Sequence, residues 1–150
     1  MKVVDFNVGP HTYFDHQGIK VSVAQEALEA EYLINVPVLK THFQTRVSLG
    51  IKNLKGLINF TSKKSFHRHE LEPMIAWLAS QIKVDLTIID GVYSTNRGPT
   101  SLEPVRADVL IAGKNLLETD LVGTALLSQD PANIPYLQMY AAHTGQSLDL

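Results

Sequence analysis

The sequence predicts an α/β fold, in which helices flank an open, mainly parallel sheet in two or three layers. Three short apolar runs indicate buried strands, at residues 32–36 (YLINV), 86–89 (LTII) and 108–112 (DVLIA). Segments with a helical repeat of apolar residues accompany them, and such alternation is typical of parallel sheets buried on both faces. A length of 150 residues suits a single domain.

The first strand run is preceded by short elements. We expect a strand, a loop, a second strand and a helix at residues 1–8, 9–18, 19–23 and 25–31. Pro37 should end the strand at 32–36, because proline cannot donate a hydrogen bond to a sheet.

The remaining elements follow from periodicity and from turn residues. A helix at 45–55 is expected, because Val47, Ile51, Leu54 and Ile58 have the spacing of one apolar helix face. A basic loop at 63–68, a helix at 69–82, a turn at Asp90 and Gly91, and a loop at 93–104 should follow. The last two helices should be one capped by Asn115 and Glu118 that ends near Ser128, and one at 134–143 that stops at Gly145.

Composition excludes several classes of function. The chain has no cysteine, so it cannot itself hold a disulfide, a thiolate zinc site or a cysteine-ligated iron–sulfur cluster. A formal net charge of −2 gives no overall attraction to nucleic acid or anionic lipid. No apolar run approaches the roughly 20 residues that span a bilayer, and the N-terminus lacks a signal peptide. We therefore expect a cytoplasmic protein with neither nucleic acid nor membrane among its partners.

The segment 35–42 (NVPVLKTH) is the first candidate for chemistry. Lys40, Thr41 and His42 are expected beyond the strand that Pro37 ends, where ligands of parallel sheets bind. A lysine there can pair with an anion or act as a base, and a histidine can transfer protons near neutral pH. The alternative is a solvated loop in which Thr41 caps a helix.

The expected helix at 45–55 presents a second group of polar side chains. Ser48, Lys52 and Lys55 are spaced to share one face, and Asn53 lies beside them. This face can bind an anion together with Lys40. The alternative is a solvated cationic face that complements the helix C-terminus.

Carboxylates and further histidines complete the candidates. Asp90 follows a buried strand, where it can orient a cation or simply cap a turn. His42, His67 and Asp90 together have the ligand types of a divalent-metal site, against which stands a surface role for the histidines. Asp120, near a helix start, is favoured there by the helix dipole and can be purely structural. Phosphate loops of the Walker and dinucleotide types are absent.

Several segments together resemble the bacterial and archaeal family known as domain of unknown function 362. They are EAEYLINVPVLKTH (29–42), VSLGIKNLKGLI (47–58), DLTIIDGV (85–92), RGPT (97–100), VLIAGKNLLETDLVG (109–123) and DPANIPYLQMYAAHTG (130–145). The combination of P-x-L-K-T-H with K-N-L-x-G-L is specific.

The resemblance implies which residues form the family's site. The matching positions are Lys40, Thr41, His42, Lys52, Asn53, Asp90, Gly98, Pro99 and Asp120, with His67 in preference to His69 as a loop histidine. Many members of the family carry ferredoxin-type clusters, which implies a redox or iron–sulfur-linked role and a ferredoxin-type partner for this cysteine-free chain. Residues 1–20 resemble the family least, which suggests the central and C-terminal part of a longer domain.

Three hypotheses about function remain open on the sequence. The first is an enzyme-like domain in which Lys40, His42 and Asp90 act on an anionic small molecule or cofactor, held also by Thr41, Lys52, Asn53, Gly98 and Asp120. The second is a non-catalytic module that docks an iron–sulfur or redox partner. The third is a metal-binding domain that uses His42, His67 and Asp90.

Overall fold

The computed structural model describes residues 2–95 and 104–149. Its strands are β1 (His11–His16), β2 (Ile19–Ala24), β3 (Ile34–Asn35), β4 (Val38–His42), β5 (Arg46–Ser48), β6 (Leu86–Thr95) and β7 (Val105–Gly113). Its α-helices are α1 (Gln25–Leu28), α2 (Gly50–Asn53), α3 (Phe60–Arg68), α4 (Leu71–Ser80), α5 (Leu116–Leu126) and α6 (Pro135–Thr144). Short 3₁₀ helices cover Leu54–Leu57 and Pro131–Asn133. The predicted α/β class is confirmed.

An antiparallel hairpin of β1 and β2 forms the N-terminal part of the fold. The predicted loop at 9–18 is therefore wrong, and so is the strand at 1–8, because no strand is assigned within residues 2–8. Gln17 and Gly18 both have positive φ, 54° and 78°, which is the backbone of the two-residue turn that favours hairpins. The expected strand at 19–23 and short helix after it are confirmed.

The main sheet is mixed and is built around β6, which pairs in parallel with β3 and β4. From Ile34 opposite Leu86 to Val38 opposite Asp90, β3 and the first residue of β4 pair with β6 in one register, which shifts between Val38 and Lys40. Pro37 therefore interrupts one strand rather than ending it, and its carbonyl accepts a hydrogen bond from the Asp90 N–H at 2.8 Å. A proline between two short pairings removes only one donor.

The opposite edge of β6 pairs with β7 in the antiparallel sense. The prediction that all three apolar runs are parallel neighbours is thus wrong for the third run. Two parallel neighbouring strands need a crossover connection of a dozen or more residues, usually a helix. No helical repeat of apolar residues lies between the runs at 86–89 and 108–112. Asp90 and Gly91 lie inside β6 rather than in a turn, and β6 continues to Thr95 into the expected loop at 93–104.

The segment that follows β4 also differs from expectation. The predicted helix at 45–55 is instead β5, which pairs antiparallel with β4, followed by α2 and a 3₁₀ turn. The predicted stripe is nevertheless buried, because Val47, Ile51 and Leu54 all face the core. The expected basic loop at 63–68 is helical, since Asn59 caps α3 by accepting a hydrogen bond from the Ser62 N–H.

The described helices cover one face of the main sheet. Gly123 in α5 lies against Leu49 and Ile89. On the other face Ile34, Val36, Val38 and Leu110 are exposed, with 65% of Leu110 accessible. The described part of the chain thus has two layers around this sheet, and the apolar runs are buried on one side only.

Asn115 caps α5 as predicted. Its Oδ1 accepts hydrogen bonds from the Leu117 and Glu118 N–H groups at 3.0 and 3.2 Å, and its amide donates to Glu118 Oε1. We expect Asn115→Ala to lower the free energy of unfolding by about 1 kcal/mol, measured by urea denaturation. Glu118→Ala should cost less, because it leaves both cap bonds in place. An Asn115→Ala variant as stable as the wild type would contradict this role.

Candidate anion-binding site

Strands β4 and β5 place four polar side chains on one face. Lys40 pairs with Ser48 across the two strands, and His42 pairs with Arg46. Because side chains alternate along a strand, Thr41 points the other way, as does its buried partner Val47. The Thr41 hydroxyl donates to the Thr95 carbonyl at 3.3 Å, which ties β4 to the end of β6.

His42 is held in one orientation by the turn after it. Its Nδ1 accepts from the Gln44 and Thr45 N–H groups at 3.2 and 3.4 Å, and its ring stacks on Phe43. With Nδ1 accepting, a neutral imidazole carries its proton on Nε2. Burial lowers the pKa of His42, the nearby charges of Lys52, Lys55 and Lys40 act in the same direction, and the pKa is about 4 as a result. His42 is therefore a neutral N–H donor at physiological pH.

Asp120 fixes the start of α2 from a distance in sequence. Its two carboxylate oxygens accept from the Gly50 and Ile51 N–H groups at 2.7 and 2.9 Å. Gly50 leaves room for this contact, since a β-carbon there would lie 2.7 Å from Asp120 Oδ1. Burial raises the pKa of Asp120 to about 7, and the two N–H donors oppose that rise. Asp120 therefore sets the position of Lys52, two residues into the helix.

Lys52 is unusual for a lysine because it is buried. Only 8% of the residue is accessible, and its Nζ is buried with no hydrogen-bond partner among the described residues. Burial, followed by the charges of Lys55 and Lys40, lowers the pKa of Lys52 to about 7, while Glu72 acts in the opposite direction. Glu72 gives a long-range attraction but no hydrogen bond, so the ammonium group is left unsatisfied.

A cavity of about 400 Å³ adjoins this lysine. Its basic lining residues come from α2, the 3₁₀ turn and α3: Lys52, Lys55, Lys63, Lys64 and His67. Lys55 Nζ lies 2.7 Å from His67 Nε2, so the ammonium group can donate to a neutral imidazole. Burial and neighbouring positive charges lower the pKa values of both Lys55 and His67. No carboxylate lines the cavity within the described ranges.

Asn53 forms the wall of the cavity next to Lys52. Its side-chain amide donates to Asn35 Oδ1 at 2.8 Å, and the Asn35 amide donates in turn to the Gly50 carbonyl at 2.9 Å. The two asparagines thereby join α2 to β3. This link holds Asn53 in place at the edge of the cavity.

The structure brings together most of the predicted cationic residues. Lys52, Asn53 and His67 line the cavity, and Lys40 and His42 lie close enough for Lys40 to affect the pKa values of His42 and Lys52. Gly98 and Pro99 lie outside the described residues. The sequence analysis did not identify Lys63 and Lys64 as site residues. Asn59 as a helix cap and the i, i+4 spacing of Lys63 and His67 nevertheless indicate a helix with Lys63 and His67 on one face.

Asp90 does not line the cationic cavity. Gly91 points toward Leu39 and Val109 on the helix-covered face, so Asp90 points to the opposite face of the sheet. Its Oδ1 accepts from the Val92 N–H at 3.0 Å. The convergence of Asp90 with Lys40 stays a prediction, because Asp90 pairs with Val38, two residues before Lys40 on the same strand. Asp90 is not among the residues that line the cationic cavity, and His42, His67 and Asp90 are not brought together as ligands. Among residues 2–95 and 104–149, no three His, Asp or Glu side chains are placed to hold a metal ion.

Comparisons with known proteins agree with the sequence motifs. The model of the family described as domain of unknown function DUF362 matches residues 1–125, including the N-terminal residues that resemble it least and excluding the segment at 130–145. A thylakoid-associated protein of Synechocystis is 30% identical over 140 residues, which cover 89% of this chain and 44% of the relative. The chain thus spans less than half of that relative's length. No solved structure matches the chain. Within the described ranges, no helix has the length and apolar character needed to cross a bilayer.

Proposed function

The chain belongs to the family of domain of unknown function DUF362, and we propose that it binds a phosphate-bearing small molecule in the cationic cavity as the ligand site of an enzyme. The observation that carries the proposal is the buried Nζ of Lys52, which has no hydrogen-bond partner among the described residues. A buried charge without a partner is costly, and an anionic ligand removes that cost when it binds.

The surrounding charges favour phosphate over a singly charged group. Lys55, Lys63 and Lys64 line the same cavity as Lys52. A phosphate monoester carries a charge of about −1.5 to −2 at pH 7 and offers three acceptor oxygens. Several ammonium groups around one site match that charge and that number of acceptors.

Two side chains are suited to proton transfer at this site. Lys52 has a pKa near 7, which is the value at which a general acid or base works best at neutral pH. His42 offers an Nε2–H donor that the turn hydrogen bonds hold in place. We assign Lys52 the role of proton donor or acceptor and His42 the role of a neutral hydrogen-bond donor to the ligand. Lys40 adds positive charge beside them.

The other hypotheses gain no specific support from the geometry. A ferredoxin-type partner and an iron–sulfur-linked role stay predictions, as does the cytoplasmic location, and the Synechocystis relative is described as thylakoid-associated. Asp90 is given no part in the proposed chemistry, because it is not among the residues that line the cationic cavity.

Calorimetric titration with pyrophosphate tests the proposal. We expect Lys52→Met to weaken binding by about tenfold or more, since a hydrogen bond to a charged group contributes about 1.5–3 kcal/mol. Lys20→Met is the matched control, because Lys20 is exposed on β2 and lies over the ring of Tyr13. It should change the affinity less than about twofold. Equal affinities of wild type and Lys52→Met, or no binding to either, would contradict the proposal.

A further inference from the structure

A second cavity, of about 290 Å³, lies beside the cationic one. Asn53 and Gly56 line both cavities, so the two are separated by no more than these residues. The apolar residues that line the second cavity are Phe6, Leu33, Ile34, Val36, Leu54 and Leu57. None of its described lining residues is charged. A basic cavity and an apolar cavity therefore share a wall.

The 3₁₀ turn at Leu54–Leu57 explains this arrangement. Lys55 lines the cationic cavity, whereas Leu54 and Leu57 line the apolar one, so the turn presents charge to one side and hydrocarbon to the other. Gly56, between them, is exposed, and a β-carbon added there would meet no atom within 4 Å. No side chain at position 56 therefore stands between the two cavities.

We propose that the natural ligand is a single-chain amphiphilic phosphate, with its phosphate in the cationic cavity and its apolar chain in the neighbouring cavity. This inference rests on the proposed function and specifies the class of its ligand. The apolar residues that line the second cavity supply its physical basis, and two of them, Ile34 and Val36, are 49% and 59% accessible. An apolar chain that covers them removes hydrocarbon surface from water, which stabilises the complex.

Calorimetry with methyl phosphate and with monomeric n-octyl phosphate tests the inference. For the wild type we expect n-octyl phosphate to bind at least about tenfold more tightly than methyl phosphate, because its chain buries additional methylene groups. Val36→Asp should abolish most of that gain by placing a charge in the apolar cavity. Val38→Asp is the matched control: Val38 is exposed on the same sheet face but does not line the cavity, so the gain should persist.

A second variant guards against effects of charge alone. Gly56→Leu adds a side chain at a residue that lines both cavities, and it should reduce the ratio of the n-octyl phosphate affinity to the methyl phosphate affinity. Equal affinities of the wild type for the two esters would overturn the inference and leave the proposed function intact. Equal losses in Val36→Asp and Val38→Asp would overturn it too. Failure of methyl phosphate itself to bind would overturn both proposals.

Discussion

Lys52→Met is expected to raise the free energy of unfolding of the ligand-free chain at pH 7 by on the order of 2 kcal/mol. The wild type keeps an ammonium group buried without a hydrogen-bond partner among the described residues, whereas methionine fills a similar volume with no charge. Urea denaturation measures the difference. A substitution that weakens ligand binding while it stabilises the free protein is the mark of a group kept for function rather than for folding.

The lowered pKa of Lys52 also predicts how the free energy of unfolding changes with pH. The pKa of Lys52 is about 7 in the folded chain, against an ordinary lysine value of 10.5, so the unfolded chain binds more protons between these values. Stability contributed by this group therefore rises with pH from 7 upward, by at most about 1.4 kcal/mol per pH unit. The stability difference between Lys52→Met and wild type should shrink from pH 7 to pH 9.5. A Lys52→Met variant that is less stable than wild type, by the same amount at both pH values, would contradict the account.

Asp120→Ala is expected to lower the free energy of unfolding by about 3 kcal/mol or more, because it leaves two buried N–H groups without acceptors. Those groups belong to Gly50 and Ile51, at the start of the helix that carries Lys52. Asp120→Asn should lose less, since its amide oxygen can still accept one of the two bonds. Urea denaturation of both variants measures the effect.

Asp130 provides the matched control for Asp120. Its Oδ1 also accepts a backbone hydrogen bond, from the Ala132 N–H at 2.9 Å, but in an exposed 3₁₀ helix. Asp130→Ala should cost about 1 kcal/mol or less, because water can replace the lost acceptor. If Asp120→Ala cost no more than Asp130→Ala, the buried cap would not be what fixes α2.

The sequence predicted the α/β class and most helices, because apolar periodicity and capping residues act locally. The N-cap of α5 is an example, since Asn115 and Glu118 are neighbours on one turn. The prediction from sequence failed where pairing between strands overrides the local pattern. Val47 and Ile51 have helical spacing, yet Val47 belongs to a strand that pairs with β4.

The candidate site could be predicted in part for the same reason. Lys52 and His42 stand in unusual motifs, so the sequence identified them as residues of interest. The local pattern predicts Asp90 in a turn, whereas its pairing with Leu110 places it inside β6. The cap of α2 by Asp120 joins residues 70 positions apart, which no local pattern indicates.

The charge state of Lys52 with and without ligand tests the central claim most directly. In lysine-labelled protein, the ¹³Cε and ¹⁵Nζ shifts report the titration of each lysine, and the Lys52→Met spectrum identifies the signals of Lys52. We expect the pKa of Lys52 to lie near 7 in the free chain and to rise toward the ordinary lysine value of 10.5 when pyrophosphate saturates the site. Binding of pyrophosphate that leaves the titration of Lys52 unchanged would contradict the account.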